Sequence, residues 1–167
     1  MKPAVLRWMM NLYFPFLGAG VHIERINDDY TELDVRMRLT RRNRNYVGTH
    51  FGGSLYSMTD PFYMLMLMQH LGKDHIIWDQ AAQIDFVAPG RGTVHARFRL
   101  SLAQIEAMRA DAATGKATRP ELLVDVVSET GDVVARVRKT LYIRLKPELR
   151  PPAAVEISAA LADVVAE

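Results

Sequence analysis

Residues Pro61 to Met68 read P-F-Y-M-L-M-L-M, apolar at every position after the proline. A helix without a polar stripe has no face to offer water, so this segment must be enclosed by other parts of its own chain. It is far short of the roughly 20 residues that span a bilayer. Whatever else the chain builds must therefore wrap around this helix. We expect the helix to begin near Ser54 and to run on through Pro61, kinked where the proline removes one hydrogen bond; the alternative is a fresh start with Asp60 as its cap.

The rest of the sequence supplies the wrapping. From Thr31 to Leu39, Leu33, Val35, Met37 and Leu39 alternate with Glu32, Asp34, Arg36 and Arg38, the period-two pattern of a sheet with one wet face. Val94, Ala96, Phe98 and Leu100 alternate with His95, Arg97 and Arg99 in the same way. Further strands are expected over 21–26, 76–87, 121–128 and 133–145, the last two joined by the turn signal Glu129-Thr130-Gly131-Asp132. Ser101 and Gln104 form a capping-box pattern that opens an inserted helix ending at Gly115. Two strands before the enclosed helix and four after it imply an α+β fold, in which a curved antiparallel sheet of five to six strands wraps a central helix.

Immediately before that helix lies N-Y-V-G-T-H-F-G-G-S-L-Y-S-M-T-D, Asn45 to Asp60. Glycines at 48, 52 and 53 fit tight backbone or the close approach of another molecule. A helix opening at Gly52-Gly53 leaves backbone N–H groups without intrahelical acceptors, which suits an oxyanion or a phosphate. Asp60 brings a carboxylate to the same stretch. Just upstream, Arg41, Arg42 and Arg44 form a basic loop that is either a solvated turn or a phosphate contact.

The 167 residues suffice for one domain with a real core. We expect an N-terminal helix over 1–17, stopped by Pro15 and Gly18 and packed on the domain, a single domain over 18–146, and a C-terminal tail over 147–167 with one weak helix through Ile157, Leu161 and Val164. The N-terminal apolar run is interrupted by Arg7 and Asn11, so it reads as an amphipathic helix rather than a signal peptide. Trp8, Tyr13 and Phe14 leave a membrane-surface role as the lesser alternative, without stable membrane insertion. A net charge of +2 argues against nucleic acid as a partner. Lack of cysteine rules out disulfides and fits a reducing, cytoplasmic setting. His22, His70, His75 and His95 show no metal-ligand spacing, so no metal is expected.

The frame Asn45-x-x-Gly48-Thr49-x-Phe51-Gly52-Gly53-Ser54-Leu55 resembles the signature of thioesterase domains in the hotdog superfamily. Gly52-Gly53-x-Leu55-x-Ser57-x-x-Asp60 is similar to the frame of phenylacetyl-CoA-type acyl-CoA thioesterases. The resemblance implies a hotdog fold and a thioester of coenzyme A or of an acyl-carrier protein as ligand. It also implies a homodimer or a homotetramer, with the ligand at the subunit interface and no cofactor. It departs at one place: Phe51 stands where that group has histidine, and His50 is one position early.

On this resemblance Asp60 is the expected general base or nucleophile, Gly53 the backbone donor to the thioester oxygen and Asn45 a group orienting water or the carbonyl. Gly52, Ser54, Phe51, His50 and Met64 are expected around the substrate, Met64 as a flexible wall of an acyl pocket. Arg41, Arg42 and Arg44 are candidates for the coenzyme A phosphates. Ser54 lacks the elbow motif of a nucleophile. Two other activities remain open: a non-catalytic acyl-CoA binder or sensor, suggested by Phe51, and a 3-hydroxyacyl thioester dehydratase, which needs His50 to face Asp60.

Overall fold

The computed structural model describes residues 1–152. Six strands form one antiparallel sheet: β1 (Val21–Ile26), β2 (Glu32–Arg38), β3 (His75–Phe86), β4 (Thr93–Arg99), β5 (Glu121–Ser128) and β6 (Val133–Leu145), in the order β1-β2-β4-β5-β6-β3. The alternation seen in the sequence decides which face turns inward. Leu33, Val35 and Met37 are fully buried, while Glu32, Asp34 and Arg36 point outward and pair their charges with neighbouring strands. Within the curve of the sheet lie α3 (Gly52–Ser57) and α4 (Phe62–Leu71). This is the hotdog arrangement.

The expected continuous helix is instead two helices. α3 ends in tight turns, with Thr59 N–H donating to Tyr56 O at 2.9 Å and Asp60 N–H to Ser57 O at 3.3 Å. Pro61 has no N–H to continue the ladder and becomes the N-cap of α4, so Asp60 lies in the break between them. The enclosure of α4 is also incomplete. Phe62, Met66 and Leu67 are buried against the sheet, but Met64 and Leu65 are half-buried and Met68 is 46% exposed, because within one chain the sheet covers only one side of the helix.

Phe62 anchors α4. Its ring centroid lies 5.5 Å from that of Phe16 and 5.1 Å from that of Phe98. The neighbouring Tyr63 donates its hydroxyl proton to Leu123 O at 2.7 Å, and burial pushes its pKa up to about 12.

At the N-terminus two helices replace the expected one, α1 (Pro3–Asn11) and α2 (Phe14–Ala19). Pro15 does not stop a helix; it occupies the first turn of α2, where no N–H is needed. Asn11 ties α1 to β1, accepting from Ile23 N–H at 2.8 Å and donating to Ile23 O at 3.1 Å. Among the described residues no helix is long and apolar enough to cross a membrane.

The inserted helix α5 (Leu102–Ala113) carries the capping box read from the sequence, with Gln104 N–H donating to Ser101 Oγ at 3.2 Å and Ser101 N–H to Gln104 Oε1 at 2.9 Å. Ser101→Ala is expected to cost about 1 kcal/mol, a fall in Tm of about 2–4 °C by calorimetry. The expected helix through Ile157, Leu161 and Val164 lies outside the described residues.

Candidate active site

The loop from Thr40 to Phe51 delivers the chain to the start of α3. Its main anchor is Asn43, which is 1% exposed. Asn43 Nδ2 donates to Ala19 O at 3.0 Å and Arg38 O at 2.9 Å, and its backbone carbonyl accepts from Phe51 N–H at 2.8 Å. Asn45 is engaged within its own loop. Its Oδ1 accepts from Val47 and Thr49 N–H, at 3.1 and 3.0 Å, and its Nδ2 donates to Thr49 Oγ1 and His50 O, at 2.9 and 3.2 Å. That amide, expected from the sequence to orient water or the carbonyl, holds the turn together.

Phe51 is the N-cap of α3 and offers no side-chain cap. Its carbonyl accepts from Ser54 and Leu55, whereas the N–H groups of Gly52 and Gly53 have no acceptor among the described residues. Both glycines stand against aromatic rings. A Cβ on Gly52 would come to 2.9 Å of Phe86 Cζ, and one on Gly53 would collide with the Phe51 ring. Phe51 thus covers the Gly53 end of the helix with an apolar ring.

A cleft of about 520 Å³ opens beside this helix start, lined by Asn45, His50, Gly52, Leu55, Phe86 and Arg91 among others. His50 is buried, with Nε2 3.1 Å from Gly92 O and Nδ1 without a hydrogen-bond partner among the described residues. Burial lowers its pKa, which keeps the ring neutral, and the contact to the Gly92 carbonyl assigns the ring proton to Nε2. Arg41, Arg42 and Arg44 are exposed on the approach loop and outside the cleft lining; the guanidinium in the wall is that of Arg91. Ser54 is buried in the first turn of α3, and Met64 packs half-buried on the core.

Asp60 is not in this cleft. It sits at the other end of α3, with its side chain 39% exposed, and accepts a hydrogen bond from Lys139 Nζ. Lys139 is 1% exposed. Its Nζ also lies 3.3 Å from Asp79 Oδ1, 3.5 Å from Tyr56 Oη and 5.1 Å from the Tyr56 ring centroid. Burial works to lower the Lys139 pKa, but the hydrogen bond to Asp60 and the charges of both carboxylates outweigh it and keep the ammonium protonated. Burial pushes the Asp79 pKa up to about 6, opposed by Lys139 and reinforced by Asp60.

Lys139 and Asp79 went unrecognised in the sequence, although one signal was there. Along β6 the inward row reads Ala135, Val137, Lys139, Leu141, Ile143, so an ammonium occupies a position where the alternation calls for an apolar residue. The structure therefore brings together Tyr56, Asp60, Asp79 and Lys139, and separately Asn45, His50 and Gly52. It does not join His50 to Asp60.

The family model described as a domain of unknown function (DUF4442) matches residues 2–143. No curated protein matches the sequence. Among solved structures, the chain is similar to a protein of unknown function from Pseudomonas aeruginosa described as a probable thioesterase, with a TM-score of 0.76 and 18% identity over 87% of this chain and 99% of that one. It is similar to a thioesterase from Haemophilus influenzae, with a TM-score of 0.63 and 14% identity over 92% of this chain and 95% of that one. It is also similar to the E. coli PaaI protein from the phenylacetic acid degradation operon, with a TM-score of 0.57 and 17% identity over 84% of this chain and 91% of that one. At these identities the likeness is one of fold.

Proposed function

The chain belongs to the DUF4442 family, and from that premise we propose that it hydrolyses acyl thioesters of coenzyme A or of an acyl-carrier protein. The observation that carries this reading is Asp60: a carboxylate held by a buried ammonium yet 39% open on its other side, at the end of a helix whose first N–H groups are unpartnered. An anionic base and a set of oxyanion donors are the two parts thioester hydrolysis needs. The fold shared with known thioesterases agrees with it.

The reaction is simple in outline. A water oxygen attacks the thioester carbonyl carbon while Asp60 accepts one of its protons, and the carbonyl oxygen becomes an oxyanion hydrogen-bonded by backbone N–H groups around Gly53. When the C–S bond breaks, the electron pair leaves on sulfur and the proton on Asp60 passes to it, so that a thiol and a carboxylic acid are released. The Phe51 ring and the half-buried Met64 present apolar surface to the acyl group, and Arg91 with Arg41, Arg42 and Arg44 offers positive charge to phosphates.

We infer that the site is completed by a second copy of the chain. Gly53 lies in the first turn of α3 and Asp60 beyond its last residue, Ser57, so the two groups stand at opposite ends of the helix, whereas both must come within about 3 Å of the reacting atoms. A second copy that lays its Gly53 beside this Asp60 removes the discrepancy. β3 offers the surface, as a twelve-residue edge strand paired only with β6, with Ala81, Ala82 and Gln83 exposed. Sedimentation is expected to show a homodimer or a larger even-numbered assembly.

The test is thiol release from acyl-CoA substrates of graded chain length. Turnover supports the reading, and its absence with every chain length overturns it, leaving saturable binding without turnover as the signature of a binder. Gly53→Ala forces the Phe51 ring aside and misplaces the donor, so kcat is expected to fall by about 10²-fold with KM little changed.

A further inference from the structure

The assignment of Asp60 as base leaves a buried ion group unexplained. An ammonium in the inward row of a sheet costs several kcal/mol to desolvate and persists only when fully paired. Lys139 is paired twice, to Asp60 from the break between α3 and α4 and to Asp79 from β3, with Tyr56 of α3 closing the third side. Asp79 reaches this place through an irregularity of its strand. It stands opposite Leu141 and Ala81 stands opposite Thr140, so that Gln80 is an extra residue bulged out of the ladder. Bulges of this kind re-aim side chains. Asp79 Oδ1 is buried 3.3 Å from the Lys139 ammonium, a contact in which charge outweighs hydrogen bonding.

We propose that Lys139 and Asp79 are the positioning pair of the catalytic carboxylate, with Lys139 fixing Asp60 and Asp79 serving as the counter-charge that Lys139 retains when Asp60 takes up the proton of water. The inference rests on the reading of Asp60 as general base. Two carboxylates around one ammonium leave a net charge of −1, so one carboxylate is free to be neutralised during the reaction without stranding Lys139. The charged groups facing Asp79 are Lys139 of β6 and Asp60 of the helix break.

The arrangement makes an asymmetric demand on the pH profile. In Asp79→Asn the repelling carboxylate is gone and Lys139 serves Asp60 alone, so ionised Asp60 is favoured and the acidic limb of kcat/KM moves to lower pH. In Lys139→Met the attraction is lost and the limb moves to higher pH. Each displacement is expected to be about one pH unit. kcat should fall by about 10-fold or more in both variants, while KM stays nearly constant and Lys139→Arg restores the wild-type limb. A merely structural role would lower the amount of active protein without moving the limb in opposite directions. Limbs that coincide with wild type, or that move together, overturn the proposal, and the Asp79→Asn shift decides it if Lys139→Met does not fold. Should wild type release no thiol from any acyl-CoA, the thioesterase reading fails instead. The same opposite displacements are then sought in the carboxyl carbon titration of Asp60 by NMR, where unchanged curves overturn the pairing.

Discussion

Asp60→Asn is expected to lower kcat for acyl-CoA hydrolysis by about 10²–10⁴-fold, with KM within a few-fold of wild type, measured as thiol release under saturating substrate. Asparagine keeps the size of the side chain and leaves an oxygen for the Lys139 hydrogen bond, so the local packing has no reason to change. What it removes is the ability to take a proton from water. The buried ammonium keeps a counter-charge in Asp79, so the variant avoids the penalty of an unpaired buried ion and its Tm should stay close to that of wild type. A retained kcat with intact folding would remove Asp60 from the chemistry. A lost kcat accompanied by a large fall in Tm would mean that the carboxylate is structural first. The expected combination is rate lost and stability kept, with a loss larger than that expected for the positioning residues Lys139 and Asp79.

What the sequence made legible was local or periodic. The strands are read from alternation, which a sheet with one wet face enforces along its whole length, and β1, β5 and β6 begin and end where that pattern does. The capping box of α5 is equally local, since both of its hydrogen bonds join residues three apart. The helix break was half legible. Pro61 announces a disturbance, but whether a helix kinks or restarts depends on what the next residue is packed against, and Phe62 is held by Phe16 and Phe98 from two distant elements.

The Asp60 cluster was the least legible part, because its members come from α3, the helix break, β3 and β6, and no spacing rule links them. Lys139 could be seen as an anomaly in an apolar row, yet the identity of its partners follows only from the sheet order that puts β3 beside β6. A similar lesson applies to the loop. Asn43 and Asn45 are the same residue type two positions apart, and only the position of α2 decides that Asn43 is the one buried against it. The arginines divide in the same way, with Arg91 brought to the cleft by the turn after β3 and Arg41, Arg42 and Arg44 left outside its lining.

Phe62→Ala is expected to destabilise the fold by about 3–5 kcal/mol, a fall in Tm on the order of 10 °C by calorimetry. The size follows from the number of elements that meet at this ring. Phe62 is fully buried and touches Phe16 of α2 on one side and Phe98 of β4 on the other, so a cavity left there cannot be filled by moving one side chain. The same truncation at Met68, on the open side of α4 and 46% exposed, should cost less than about 1 kcal/mol. The contrast separates the buried side of α4 from its open side. It also reaches the site, because Asp60 and Pro61 are the residues that connect α3 to this anchor. If α4 loses its hold at Phe62, the carboxylate loses the fixed end of its short connection. kcat measured well below the transition should then fall in Phe62→Ala, while Met68→Ala leaves it intact; equal rates in the two variants would mean that Lys139 alone sets the position of Asp60.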